Sequence, residues 1–178
     1  PERAQASELS DRLRALGAAV IELPVIRIEP IVSSPEIDAA FDVLDSYRLV
    51  VLTSVNGAAA LFDRLAERAR DARSLSPEAT VVAIGPATAA RLAAHGVRAD
   101  LVPERFVAEG ILDALSGTPL DGVRALVARA RGSRPDLVDG LRRRGAVVDE
   151  IELYASVPQP ADPAAVAAAL AADHLTFT

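Results

Sequence analysis

The sequence predicts an α/β fold built on an open, mostly parallel sheet, and two patterns along the chain support this class. Short continuous apolar runs, of the kind buried in parallel sheets, occupy 50–52, 81–84 and 125–127. Helical apolar patterns that end in glycine alternate with β-like runs. Because parallel strands need crossover connections, strands that alternate with helices indicate this arrangement.

Three helical patterns end at Gly17, Gly96 and Gly145, and each of these glycines follows apolar residues at helical spacing. We expect these glycines in the left-handed conformation that terminates a helix, because they have no Cβ to clash there. The β-like runs that follow them are 20–23, 100–102 and 147–148. The sequence therefore predicts a helix-to-strand connection at each of the three positions.

Each of the apolar runs at 50–52, 81–84 and 125–127 is followed by a turn that opens a helix. In an open α/β sheet, ligands bind beyond the carboxyl ends of the strands, where helix N-termini present unpaired N–H groups. We expect an anion-accepting edge there. The candidate binding residues in these turns are Thr53, Ser54, Asn56, Gly57, Gly85, Pro86, Ala87, Thr88, Arg129 and Arg134.

Structural roles are the alternative for several of these candidates. Thr53, Ser54 and Thr88 have side chains that cap helices, and Gly57 and Gly85 suit tight turns. The three arginines of the third turn would suit a phosphate or multi-carboxylate ligand, although solvated arginines are the alternative. These arginines are Arg129, Arg131 and Arg134. The run at 142–144 is assigned to the end of a helix, where cations offset the dipole.

Proline-flanked extended stretches at 23–30 and 152–158 predict two places where the chain passes between packed units. We therefore expect an inserted α/β domain at 31–153 and a discontinuous domain formed by 1–30 and 154–178. The chain opens on a helix without a preceding strand and stops within a β-like run at 175–178. We expect the discontinuous domain to be truncated and the sequence to be a fragment of a longer protein.

Composition excludes several kinds of chemistry. The chain has 178 residues, 25 acidic side chains and 19 basic ones, all arginine, for a net charge of −6. It has no Lys, Cys, Met or Trp, which excludes lysine Schiff bases, P-loop lysines, thiol nucleophiles and cysteine metal sites. The chain has only two histidines, which excludes a histidine-rich metal site. Its 51% of hydrophobic residues excludes a disordered chain.

The same composition bears on partners and location. An acidic balance with only 3% aromatic residues argues against nucleic-acid binding. No apolar run approaches the ~20 residues of a membrane span, and the amino end is not typical of a signal peptide. We expect a cytoplasmic protein without a nucleic-acid or membrane partner.

Among the remaining polar side chains, Tyr154 is a candidate for catalysis. It lies on the extended stretch between the two predicted units, so its hydroxyl could face a cleft between them, and packing at the hinge is the alternative. His95 precedes a helix-ending glycine and His174 lies in the final loop. Neither histidine has a partner at metal-ligand spacing.

Four motifs resemble the uroporphyrinogen-III synthase family in order and spacing. They are Leu52-Thr53-Ser54-Val55-Asn56-Gly57, Ile84-Gly85-Pro86-Ala87-Thr88-Ala89, Val102-Pro103-Glu104-Arg105-Phe106-Val107-Ala108-Glu109-Gly110, and Arg144-Gly145-Ala146-Val147-Val148-Asp149 continuing to Tyr154. The resemblance extends from the first helix to Thr178. It implies two Rossmann- or flavodoxin-like parallel-sheet domains, joined by a two-stranded β ladder, with the active site between them.

The resemblance also implies an activity. Such enzymes close linear hydroxymethylbilane into uroporphyrinogen III, with loss of water and inversion of the last pyrrole ring, and they need no cofactor or metal. By position, Tyr154 would help the substrate hydroxyl to leave, while the turn residues listed above would bind substrate carboxylates. We expect a monomeric protein of tetrapyrrole and heme biosynthesis. In some bacteria such a domain is fused to a methyltransferase or to a DNA-binding module, and the sequence is compatible with either fusion.

Two other functions compete with this cyclising lyase. A non-catalytic tetrapyrrole-binding or regulatory module would keep the same fold without the chemistry. A phosphate or nucleotide binder would use the same helix N-termini, but no glycine-rich phosphate fingerprint follows any of the predicted strands.

Overall fold

A computed structural model describes residues 3–176 of the chain, with the side chains of residues 3–8 outside that description. The strands are β1 (Ile26–Pro30), β2 (Leu49–Leu52), β3 (Thr80–Ala83), β4 (Arg124–Ala130) and β5 (Val147–Pro158). The helices are α1 (Arg3–Ala15), α2 (Pro35–Asp42), α3 (Val55–Glu67), α4 (Pro86–Ala94), α5 (Ala108–Ala114), α6 (Asp136–Arg143) and α7 (Pro163–Leu170). Short 3₁₀ turns occupy Leu44–Ser46 and Ala72–Ser74.

The five strands form one sheet in the order β1-β5-β4-β2-β3. β2 pairs in parallel with both β3 and β4, and β4 pairs in parallel with β5. Leu49, the first residue of β2, lies opposite Thr80, the first residue of β3, and opposite Ala125, the second residue of β4. The predicted mostly parallel α/β sheet is confirmed.

The core of this sheet lies on both of its faces. Along β2, Val50 and Leu52 belong to one buried cluster and Leu49 and Val51 to the other, because successive strand residues point to opposite faces. α2, α3 and α4 contribute to the first cluster, and α5 and α6 contribute to the second. Helices on both faces explain why the strand sequences are apolar without alternation.

The predicted helix ends are confirmed, whereas two predicted strands are wrong. Gly17, Gly96 and Gly145 have φ values of 87°, 79° and 87°. The run at 20–23 is irregular, and Ile21 is 44% exposed, so its apolar pattern does not correspond to a buried strand. The run at 100–102 forms only one bridge, from Leu101 to Val82, and the proline that follows cannot donate to a ladder.

The carboxyl-terminal part of the chain contains β5 and the run at 175–178, both of which the sequence predicts to be extended. β5 is a single strand of 12 residues that unites the predicted run at 147–148 with the extended stretch at 152–158. Leu175 and Thr176 have no regular secondary structure. Phe177 and Thr178, the other half of the predicted terminal run, lie outside the described residues.

The chain divides into two compact units. The first comprises Pro1–Glu29 with Ser156–Thr178, and the second comprises Pro30–Ala155. In the first, the amide of Gln159 donates to the carbonyl oxygen of Val25 at 2.9 Å. The second contains both core clusters and all of the candidate site residues.

Candidate functional site

The carboxyl ends of β2, β3 and β4 lie at one edge of the sheet in the larger unit, because these strands are parallel. α3 begins directly after β2, with Ser54 as its N-cap, and α4 begins after β3, with Gly85 as its N-cap. α6 follows β4 after a turn that ends at Pro135. The fold therefore brings all three predicted turns to the same edge.

Tyr154 and Ser54 form a hydrogen-bonded pair at this edge. The Tyr154 hydroxyl donates to Ser54 Oγ at 2.8 Å, and the amide of Gly57 donates to the same oxygen at 2.9 Å. Tyr154 is only 7% exposed. A Cβ on Gly57 would lie 3.0 Å from Ser54 Oγ and 3.8 Å from Tyr154 Cε1, so the glycine leaves room for this close packing.

Thr53 and Thr88 occupy different positions. The Thr53 hydroxyl donates to the carbonyl oxygen of Ala128 at 3.2 Å, which ties the turn after β2 to the neighbouring strand. Thr88 is buried in the first turn of α4, whereas Pro86 and Ala87 before it are exposed. Thr53 is partly exposed and Pro86 and Ala87 are exposed, whereas Thr88 is shielded from a ligand.

Phe106 packs against the start of α4. A Cβ on Gly85 would lie 3.3 Å from Phe106 Cγ, which shows how closely the aromatic ring approaches the glycine. Phe106 is nevertheless 56% exposed. It therefore offers an apolar surface beside the N-terminus of α4.

A cavity of about 270 Å³ opens at the same edge. Its apolar walls come from residues of the strand ends and of the segments that lead into α5 and α6. Its lining residues are Thr53, Ile84, Phe106, Val107, Ala108, Val127, Arg129, Ser133, Arg134, Leu137 and Val138. An apolar wall with a few polar groups is typical of a small-molecule site.

Arg129 lines this cavity, and its guanidinium group is bound by other residues of the protein. It forms an ion pair with Glu150, and its Nη1 donates to the carbonyl oxygen of Arg134 at 2.8 Å. Its Nε is buried and has no hydrogen-bond partner in the described part of the chain. The Arg129 charge is therefore largely compensated by Glu150, and its Nε is left as an unused donor.

The other arginines of the turn are more exposed and also lie near carboxylates. Arg134 is 3.7 Å from both Glu109 and Asp136 and keeps 69% of its side chain exposed. Arg131 is 3.2 Å from Glu152, which also accepts a hydrogen bond from the Gly132 amide. Arg134, with its long contacts and high exposure, is the arginine most available to an anionic ligand.

The remaining candidates have structural contacts. Arg144, from the run at 142–144, donates to the carbonyl oxygens of Leu115 at 2.7 Å and Thr118 at 2.8 Å, and so caps the end of α5. The His95 ring stacks on Phe62 with centroids 4.2 Å apart. His174 is exposed in an irregular segment.

Sequence reasoning did not assign Phe106, Val107, Ser133 or Glu150 to the site. The first two lie within the motif at 102–110, which entered only as a family resemblance. Glu150 neutralises Arg129, and only the pairing of β4 with β5 brings the two side chains together. Among residues 3–176, no cluster of three or more His, Asp or Glu side chains could hold a metal ion, and no helix is long and apolar enough to span a membrane.

The fold and this edge define an α/β protein whose candidate ligand-binding surface lies beyond the carboxyl ends of parallel strands. A family model described as "Uroporphyrinogen-III synthase HemD" matches residues 7–178, and the chain belongs to this family.

Named relatives agree with this assignment. The chain is 33% identical over 153 residues to "Uroporphyrinogen-III synthase" of Synechococcus elongatus, with 85% of this chain and 57% of the relative covered. It is 30% identical over 146 residues to "Porphyrin biosynthesis protein HemD" of Ruminiclostridium josui, with coverages of 82% and 29%. The chain thus spans less than two thirds of the length of either relative.

A solved structure has a similar fold. A crystal structure of a mutant uroporphyrinogen III synthase from Thermus thermophilus matches with a TM-score of 0.64 and 22% identity. The match covers 89% of this chain and 60% of that one. It supports the five-strand α/β architecture.

Proposed function

We propose that this chain provides the catalytic site of a uroporphyrinogen-III synthase, which closes hydroxymethylbilane to uroporphyrinogen III. The observation that carries this proposal is the Tyr154 hydroxyl, held at the carboxyl edge of the sheet by Ser54. This chain belongs to the family, and its Tyr154 lies at the edge of the sheet where α/β proteins bind their ligands. The alternative is a tetrapyrrole-binding or regulatory module of the same fold without catalysis.

Tyr154 would act as the general acid for loss of the substrate hydroxyl. The C–O bond of the terminal hydroxymethyl group breaks, the phenol proton goes to the departing oxygen, and water leaves. The substrate is then an electrophilic azafulvenium cation, and Tyr154 is a phenolate. Ring closure and inversion of the last ring finally release a proton from carbon, which returns to the phenolate, so no proton is gained or lost by the enzyme.

The cavity and its surroundings would bind the substrate. Hydroxymethylbilane carries eight acetate and propionate carboxylates on pyrrole rings, so it needs both apolar surface and anion-binding groups. Phe106 and Val107 supply apolar surface, Arg134 supplies an exposed cation, and the N-termini of α3 and α4 supply backbone N–H groups. Among the other candidates, Asn56, Gly57, Gly85, Pro86 and Ala87 line the turns at the start of these two helices.

We further propose that the two compact units correspond to two domains, one inserted and one discontinuous. The division at Pro30 and Ala155 supports boundaries close to 31–153 for the inserted domain. The whole protein would act as a cytoplasmic monomer in tetrapyrrole biosynthesis, with a small linear tetrapyrrole as its partner. Family membership supports this proposal, whereas the fold alone does not define a function.

An isomer assay tests the function. The full chain is given freshly generated hydroxymethylbilane, and the products are oxidised and separated as uroporphyrin isomers, beside a reaction without protein. Closure without inversion of the last ring gives the type I isomer, so type III reports catalysis. We expect predominantly type III with the chain and type I without it. Type I alone from a folded chain would contradict the enzyme and favour the binding module.

A further inference from the structure

We infer that Ser54 is a positioning residue for catalysis, which acts through Tyr154 by donating its hydroxyl hydrogen to the phenol oxygen as that oxygen loses its proton. The inference rests on the proposed function. It gives Ser54 a role different from the carboxylate binding expected from the sequence.

The hydrogen bonds at Ser54 carry the argument. Ser54 Oγ lies 2.8 Å from Tyr154 Oη and accepts the Gly57 amide at 2.9 Å. Among the described residues, Ser54 is the only side chain that hydrogen-bonds the Tyr154 hydroxyl. Tyr154 is 7% exposed, so most of its side chain is shielded from solvent.

A serine hydroxyl has one hydrogen and two acceptor lone pairs, so the pair has two possible directions. In the arrangement observed, Tyr154 donates and Ser54 accepts. Once Tyr154 has given its proton to the departing substrate oxygen, the phenolate can only accept. Ser54 can then turn its hydrogen to the phenolate while it keeps the Gly57 amide as a donor, so every partner remains satisfied.

Charge at this position favours the same direction. Ser54 is the N-cap of α3, a helix of 13 residues, and the N-terminal end of a helix stabilises nearby negative charge. The Ser54 oxygen already lies 2.8 Å from the atom where charge develops, so only its hydrogen has to turn for it to become a donor that lowers the barrier. Ser54 thus stabilises the phenolate more than the phenol.

Capping of α3 is a second role of Ser54, and the chain offers a matched control for it. Ser34 caps α2 in the same way, with its Oγ accepting from the Ile37 amide at 3.2 Å. No tyrosine hydrogen-bonds Ser34 in the described part of the chain. Ser34→Ala therefore removes a cap of the same chemistry without affecting Tyr154.

The test is a double-mutant cycle in the isomer assay, with kcat and KM measured for type III formation. We expect Ser54→Ala to lower kcat about tenfold with KM within about twofold, as for loss of a transition-state donor. Ser54→Thr, which keeps both the hydroxyl and the cap, restores kcat. In a Tyr154→Phe background, Ser54→Ala has no further effect, because there is no phenolate to stabilise. Ser34→Ala leaves kcat unchanged.

A spectroscopic readout does not depend on turnover. The chain has two tyrosines, so labelling tyrosine Cζ with ¹³C gives two resonances, which Tyr154→Phe assigns. We expect Ser54→Ala to shift the Tyr154 resonance and Ser34→Ala to leave it in place. An unshifted resonance would overturn the inference.

The possible failures are distinguishable. If the unsubstituted chain gives only type I, the proposed function is wrong and this inference falls with it. If the chain gives type III but Ser54→Ala lowers kcat by the same factor with Tyr154 intact and in the Tyr154→Phe background, only this inference is overturned. The same holds if Ser54→Ala leaves kcat intact.

Discussion

At the scale of single residues, the two tyrosines of the chain have different surroundings. Tyr47 is fully buried, and its hydroxyl donates to Asp149 Oδ2 at 2.7 Å. Arg124 donates to the same carboxylate oxygen at 2.9 Å and lies over the Tyr47 ring. Burial, followed by the hydrogen bond to Asp149 and the negative charge of that carboxylate, raises the pKa of Tyr47 well above its usual value near 10.

This shift predicts a loss of stability in alkaline solution. The unfolded chain ionises Tyr47 above about pH 10 while the folded chain keeps it neutral, so the stabilisation is present below that pH and is lost as the pH rises towards the folded pKa. The contribution falls by up to about 1.4 kcal/mol per pH unit above about pH 10. Urea unfolding of the parent and of Tyr47→Phe, at pH 8 and at pH values above 10, measures it.

The composition simplifies the interpretation of this measurement, because the chain has no lysine or cysteine side chains that would titrate in the same alkaline pH range. We expect Tyr47→Phe to be less stable at pH 8, through loss of the hydrogen bond to Asp149, and to have a flatter alkaline slope. Parallel slopes for the two proteins would contradict the assigned burial of Tyr47.

At the scale of helices and strands, the glycines that follow α4 and α6 allow the packing at two helix ends to be compared. Gly96 and Gly145 both have positive φ, at 79° and 87°. A Cβ on Gly96 would meet nothing within 4 Å, whereas a Cβ on Gly145 would lie 2.5 Å from Asp121 Oδ1 and 2.9 Å from Asp121 Cα. A substituted residue would therefore meet the same left-handed strain at both positions but different packing.

Substitution by alanine separates these two costs. We expect Gly96→Ala to lower the free energy of unfolding by about 1 kcal/mol through left-handed strain alone. Gly145→Ala is expected to cost at least about 2 kcal/mol, because the backbone of Asp121 must also move. Urea unfolding at neutral pH compares the two variants, and equal losses would contradict the close approach of Asp121.

The sequence predicts the central strands and the glycine-terminated helix ends correctly, but it wrongly predicts strands at 20–23 and 100–102. β2, β3 and β4 are predicted because burial on both faces makes their sequences continuously apolar. The run at 20–23 is also mostly apolar, but it contains Glu22 and is not buried. Glu150 was missed because its contact with Arg129 depends on the pairing of two strands that are separated by α6.

At the scale of the whole molecule, the sequence predicts the fold class but not the strand order. β1 lies at one edge beside β5, and β2 lies between β4 and β3, an order set by packing between distant segments. The chain belongs to the uroporphyrinogen-III synthase family and spans 57% of the relative from Synechococcus elongatus. All of the candidate site residues lie in the unit Pro30–Ala155, so the proposed chemistry can be tested on side chains of that unit.

We propose that Tyr154 carries the proton in uroporphyrinogen III formation, and the ratio of uroporphyrin isomers made by two matched variants measures this role. Tyr154→Phe and Tyr47→Phe each remove one phenol hydroxyl, from the edge of the sheet and from the core respectively. We expect Tyr154→Phe to lower the rate of type III formation about 100-fold, so that type I dominates, while Tyr47→Phe still yields type III. Full type III activity of folded Tyr154→Phe would show that the phenol proton of Tyr154 is not needed for the reaction.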